Sequence, residues 1–145
     1  ENRFNWYNIE RYQKLSVNTS HSLLMRQNWR YISRDDKLKK LRDCNQYEIV
    51  DDFIFAYKGV RTDGYSKINF QYLFEIGGTY EAHADFNNNN NENSFGLSAW
   101  TLEQAKKYCN EKILKIKVHI DDVAALVHRS NKLRCTKITV LEEVK

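Results

Sequence analysis

The chain has 145 residues and a mass of 17.3 kDa; 41% of it is hydrophobic, 29% charged and 13% aromatic, and its mean hydropathy is -0.73. That size fits one core with an appendage and excludes a multidomain machine. No apolar run approaches the ~20 residues of a membrane-spanning helix, and the opening residues carry no signal-peptide pattern. The formal net charge of +4 lies wholly in the first third: residues 1–48 hold 10 Lys and Arg against 6 Asp and Glu, and residues 49–145 hold 13 against 13.

In chain order, the first feature is an internal repeat. Asn5-Trp6-Tyr7-Asn8-Ile9-Glu10-Arg11-Tyr12-Gln13-Lys14-Leu15 aligns with Asn28-Trp29-Arg30-Tyr31-Ile32-Ser33-Arg34-Asp35-Asp36-Lys37-Leu38 at Asn, Trp, Ile, Arg, Lys and Leu, with a period of 23 residues. Trp6 and Ile9 share one helical face, as do Trp29 and Ile32, and Ser20 to Gln27 supplies a second short helix with Leu23 and Leu24 as its apolar stripe. Paired short helices of this kind need a neighbour to cover them, and two copies are few for a stacked array. With Glu1 as first residue, further copies are expected upstream. Lys37-Leu38-Lys39-Lys40-Leu41-Arg42 reads as the solvated face of an amphipathic helix. A DNA-binding helix-turn-helix is the alternative, disfavoured because Trp and Ile in register look like packing residues.

The pattern N-W-x-x-I-x-x-x-x-K-L-S resembles the tandem tryptophan repeats of giant amoeba-infecting DNA viruses and large phages. The five consecutive Asn at 87–91 and the absence of proline agree with an AT-rich source of that kind. The resemblance implies a viral protein, in the host cytoplasm or the virion, and carries no catalytic or binding residue with it. Three cysteines, Cys44, Cys109 and Cys135, form no CxxC pair and point to a reducing, intracellular compartment.

Near residues 44–50 the texture changes from helical spacing to alternation, which divides the chain into a helical repeat segment, 1–46, and an α+β domain, 47–145, expected as a small mixed sheet with one well-capped helix. Asp52 to Tyr57 reads as a buried strand and Thr62-Asp63-Gly64 as a turn. Phe70 to Glu75 and Thr79 to Asp85 read as two strands of a hairpin closed at Gly77-Gly78. Asn87 to Asn93 is a polar exposed loop. Thr101-x-x-Gln104 has capping-box spacing and starts a helix. Ile113 to Ile120 alternates as a half-buried strand, Asp121 to Val127 is a short helix or bend, and Arg134 to Leu141 is a final strand.

No Walker loop, GxGxxG, HExxH or CxxC pair is present. His83 and Asp85 have metal-ligand chemistry, yet a third ligand has to come from His119, His128 or Cys109, and the expectation is no metal. Aromatic Tyr57, Tyr72, Tyr80, Phe95 and Trp100 are expected in the core, with Phe95 to Trp100 the most idiosyncratic run. The order Tyr57-Lys58-Gly59, Gly77-Gly78-Thr79-Tyr80, Ser94-Phe95-Gly96-Leu97-Ser98-Ala99-Trp100-Thr101 with Ala105 and Tyr108, and terminal Glu142-Glu143 resembles the layout of small ADP-ribosyltransferases. That resemblance implies a cofactor, NAD, held by Lys58, Arg61, Tyr80 and Trp100. It puts Ser98 at the central serine, and Glu142 or Glu143 at the glutamate that polarises the ribose hydroxyl. Two departures stand out: lysine replaces an arginine fork, and adjacent glutamates point to opposite faces of a strand. The phrase from Tyr57 to Trp100 also resembles a domain of giant-virus and phage proteins.

The first reading is accordingly a non-enzymatic interaction module with a protein partner and no cofactor. An NAD-binding ADP-ribosyltransferase-like domain is the alternative, and nucleic-acid binding through the basic N-terminal helices is third.

Overall fold

The computed structural model describes residues 29–67, 72–86, 95–127 and 131–145. The first repeat copy, the Ser20–Gln27 helix, the 87–93 loop and His128 lie outside the described residues.

Trp29–Tyr31 form one turn of 3-10 helix, and helix α1 follows at Arg34–Cys44. Ser33 is its N-cap, its side chain accepting from the Asp36 amide at 3.2 Å, with Asp35 and Asp36 in the positive first turn. Asn45, in the left-handed region with φ 53°, ends it by donating its amide to the Arg42 carbonyl. Strands β1 (Glu48–Val50) and β2 (Phe53–Val60) form a hairpin over Asp51-Asp52, where Asp51 takes the positive φ that Asp tolerates. After β3 (Thr79–Glu81) and β4 (Leu97–Trp100), helix α2 runs over Leu102–Tyr108. Thr101 caps it, accepting from the Gln104 amide, as the capping-box spacing predicts. The chain closes with β5 (Lys112–His119), a 3-10 turn at Ile120–Asp122, β6 (Val123–Val127), β7 (Lys132–Cys135) and β8 (Lys137–Val144).

The eight strands make one sheet in the order β3-β8-β5-β2-β4-β7-β6, with β1 added to β2. Every pairing among the described residues is antiparallel, so the α+β class holds while the expected mixed sheet is corrected. β2 is the axis. It pairs with β5 along its whole length, from Phe53 opposite His119 to Val60 opposite Lys112. Ile54 and Ala56 point into the main core with Leu114, Ile116, Val118, Leu133 and Val140. The other face carries α2, packed with Trp100, Ile113, Tyr57 and Tyr108. Gly59 makes that docking possible: a Cβ there would sit 2.6 Å from the Ala105 carbonyl and closer still to that of Cys109.

Trp29 and Leu41 are fully buried in the main core, with Ile32 and Leu38 packed against it. The shared face expected of Trp29 and Ile32 is thus an inward one. It covers the sheet domain, in a three-residue 3-10 turn rather than a longer helix.

Four local expectations are corrected. Tyr72–Glu75 form no strand beyond an isolated bridge between Tyr65 and Leu73. Gly77-Gly78 close no hairpin there; the Gly77 amide donates to Val140 and Gly78 accepts from Val140, so β3 leaves the glycines to pair with β8. Val123–Val127 is a strand, because its near-continuous apolar run finds a partner in β7 through a hairpin. The single strand read at Arg134–Leu141 breaks at Thr136 into β7 and β8, whose ladders lie at opposite ends of the sheet. Among the described residues no helix is long and apolar enough to cross a membrane.

Candidate functional site

The sheet has a seam. β4 is fully laddered to β7, Leu97 to Cys135 through Trp100 to Lys132. Its pairing with β2 is confined to Tyr57 opposite Trp100. Beyond that point Lys58–Val60 and Leu97–Ala99 are unpaired across the seam, and a cleft of about 340 Å³ opens there. Lys58, Gly59, Leu97, Ser98 and Trp100 line it from the two strands; Phe74, His83, Phe95 and Tyr108 close it.

Lys58 dominates the cleft. It is only 7% exposed. Its Nζ donates to the Ser98 carbonyl at 2.6 Å, where a ladder amide of β2 would otherwise bond. The ammonium also lies 4.9 Å from the Phe74 ring centre and 5.4 Å from that of Trp100, within cation–π range. Among the described residues no carboxylate pairs with it. Burial pushes Lys58 down to about 8; Cys135 opposes that shift and Lys132 adds to it. Cys135 is itself pushed up to about 12 by burial and stays a neutral thiol at pH 7.

The aromatic wall is ordered. Tyr108 stacks on Trp100 with centroids 4.5 Å apart and planes 23° off parallel. Lys132, buried on β7, brings a second ammonium to 5.5 Å from the Trp100 ring. Arg134, also buried, donates to the Asp85 carbonyl at 3.2 Å. Gly96, at φ 132°, lies so close to Arg134 and Ala84 that a Cβ would fall within 3 Å of both side chains. A second depression, of about 680 Å³, shares His83 and Phe95 with the first and holds Glu81, Asp122 and Lys137.

Of the residues singled out in the sequence, Lys58, Ser98 and Trp100 meet in the cleft. Arg61 does not line it and pairs with Asp63 at 2.9 Å. Tyr80 sits behind Phe74, edge-on at 5.0 Å, and its Oη accepts from the Glu75 amide. Glu142 and Glu143 lie on β8, opposite Lys115 and Leu114, with β5 between them and the seam. Neither glutamate lines the cleft. His119 is turned to Phe53 and to the Asp121 amide, and Cys109 donates to the Val60 carbonyl. Among the described residues no cluster of three His, Cys, Asp or Glu is placed to hold a metal ion.

Tyr108 stands in the sequence only as part of the transferase-like phrase and not among the residues held to bind a ligand, and Lys132 and Phe74 carry no site signal of their own. The seam register that brings them in is set by pairings far apart in the chain. Comparison with protein-family models, with curated proteins and with solved structures finds no match to this chain.

Proposed function

We propose that residues 47–145 form a binding module for an anionic, ring-bearing small molecule of the nucleotide class, held in the β2–β4 cleft. The observation that carries this reading is Lys58. A buried ammonium with no carboxylate partner among the described residues is costly to keep, and a ligand anion is the complement its site lacks. Trp100 and Tyr108 offer a stacking wall beside it. The adjoining depression, joined through His83 and Phe95, gives room for a second half, as in a nicotinamide dinucleotide.

The ADP-ribosyltransferase-like reading is therefore retained for binding. A transfer step through Glu142 or Glu143 has no support from their place on β8, beyond β5. The protein-interaction reading draws on the repeat, yet Trp29, Ile32 and Leu38 of the second copy are committed to the domain's own core. The nucleic-acid reading is weakened on α1, where Lys39 pairs with Asp43 and Arg34 with Asp52.

The test is a thermal titration with nicotinamide dinucleotide and with ADP-ribose. A ligand at roughly 50 times its Kd adds about 2.3 kcal/mol to the native state, or about 5–9 °C in Tm for a chain this size. Loss of that rise in Lys58→Gln and Trp100→Leu is expected. A flat midpoint at millimolar concentrations of both ligands overturns the proposal.

A further inference from the structure

The same cleft holds a group that ligand anchoring does not exhaust: an amine that can act as a nucleophile. Lys58 Nζ is fixed by one short bond to the Ser98 carbonyl, is flanked by the Phe74 and Trp100 rings, and faces a cavity rather than close-packed core. We propose that the Lys58 amine captures small aromatic aldehydes reversibly as an imine within the β2–β4 cleft. The inference rests on the reading that this cleft admits a small ring-bearing molecule.

The chemistry needs no external oxidant or reductant. The Nζ lone pair forms a bond to the carbonyl carbon, and one nitrogen proton passes to the oxygen to give a carbinolamine. That hydroxyl then leaves as water with the second nitrogen proton, leaving C=N; amine plus aldehyde become imine plus water. His83 and Tyr108 line the same cleft and are the groups at hand to move these protons. The stacked Trp100–Tyr108 pair selects an aromatic aldehyde over an aliphatic one.

Two features activate the amine. Desolvation among apolar rings and the neighbouring Lys132 ammonium both favour the uncharged form, the two devices by which lysine becomes a nucleophile. The titratable groups facing it are Cys135 and Lys132 from β7, His83 and Tyr108 across the cleft, and Tyr72 on the Phe74 segment; β4 contributes Ser98 and Trp100, neither of which titrates. At pH 7 about a tenth of Lys58 is neutral, against roughly one part in 3,000 for an ordinary lysine near 10.5.

The whole chain is incubated at pH 7.5 with salicylaldehyde, and in parallel with glyoxylate, in the presence of cyanoborohydride, which adds hydride to C=N and fixes the adduct as a secondary amine. Peptide mapping then locates it. The expected result is a Lys58 adduct at least ~10-fold above that on exposed lysines such as Lys39 and Lys145, favouring salicylaldehyde and shifting no other lysine in Lys58→Met. An adduct spread over exposed lysines with Lys58 clean overturns the proposal. The dinucleotide titration separates the two readings. A thermal rise with Lys58 clean refutes the amine chemistry and leaves the binding reading, whereas an adduct on Lys58 without a rise does the reverse.

Discussion

Lys58→Met tests the electrostatics of the cleft without any ligand. An ordinary lysine near 10.5 that titrates at about 8 in the fold resists protonation there, and each pH unit of that difference is worth about 1.36 kcal/mol. Holding the charge inside at pH 7 therefore costs roughly 3 kcal/mol. The sign follows from proton counts. Between pH 8 and 10.5 the unfolded chain keeps a proton that the folded chain has released, so the cost is full below about 8 and fades as pH rises toward 10.5. Methionine removes the charge at similar length but strips the Ser98 carbonyl of its donor, a loss of about 1–3 kcal/mol that does not depend on pH. The variant should thus be about 0–2 kcal/mol more stable than the parent at pH 7. Its advantage should fall by about 2.5 kcal/mol by pH 10, turning into a deficit. Urea unfolding of both proteins at the two pH values measures this directly, because titrating groups remote from Lys58 cancel in the difference. A difference between the two proteins that is the same at pH 7 and pH 10 refutes the account of Lys58 as a desolvated ammonium.

Other substitutions probe the scaffold around the site. Gly59→Ala drives a Cβ into two α2 carbonyls that have no flexible end to move, and a loss of about 3 kcal/mol is expected in chemical unfolding. A loss under about 0.5 kcal/mol would mean that α2 is not docked as described. Thr101→Ala removes the acceptor for the Gln104 amide and should cost about 1 kcal/mol, restored by Thr101→Ser. Tyr47→Phe should stabilise by about 1 kcal/mol, since the buried Tyr47 hydroxyl has no hydrogen-bond partner among the described residues; a destabilised variant would show that the hydroxyl is satisfied in solution.

Local signals were the legible ones. The Thr101 cap, the Lys37–Arg42 helix face and the alternation of Ile113 to Ile120 each depend on a few neighbouring residues, and each stands where the sequence puts it. Val123–Val127 misled because a five-residue apolar run has no period of its own; its state is decided by β7 beside it. The glycine pair misled for a similar reason, since its amide and carbonyl bond Val140, more than sixty residues on. The site behaved the same way. Lys58, Ser98 and Trp100 were singled out by their flanking phrases, but the cleft exists because β2 and β4 share one paired position. That is a property of the ladder and not of either strand. Glu142 and Glu143 come from the resemblance, as the acidic residues of a last strand, whereas the strand beside Ser98 is β7, which offers Lys132 and Arg134.

That basic neighbour strand sharpens what the cleft can do, because the two roles given to Lys58 need opposite protonation states. Anchoring an anion requires the ammonium. Above about 8 in the free protein, each further pH unit should weaken dinucleotide binding up to ~10-fold until the amine of the complex also releases its proton. Binding at pH 8.5–9 must then draw a proton from solution. The enthalpy measured by titration calorimetry should accordingly change with the ionisation enthalpy of the buffer at pH 9 and far less at pH 6.5. Imine formation requires the neutral amine, so aldehyde capture should rise through pH 7 and level off once the amine is mostly uncharged. The two pH profiles cross near 8 if one amine serves both ligands. Dinucleotide affinity that is unchanged from pH 7 to 9.5, with no buffer dependence, would remove the Lys58 ammonium as the anchor. The stacked Trp100 and Tyr108 would then remain as the element that holds the ligand.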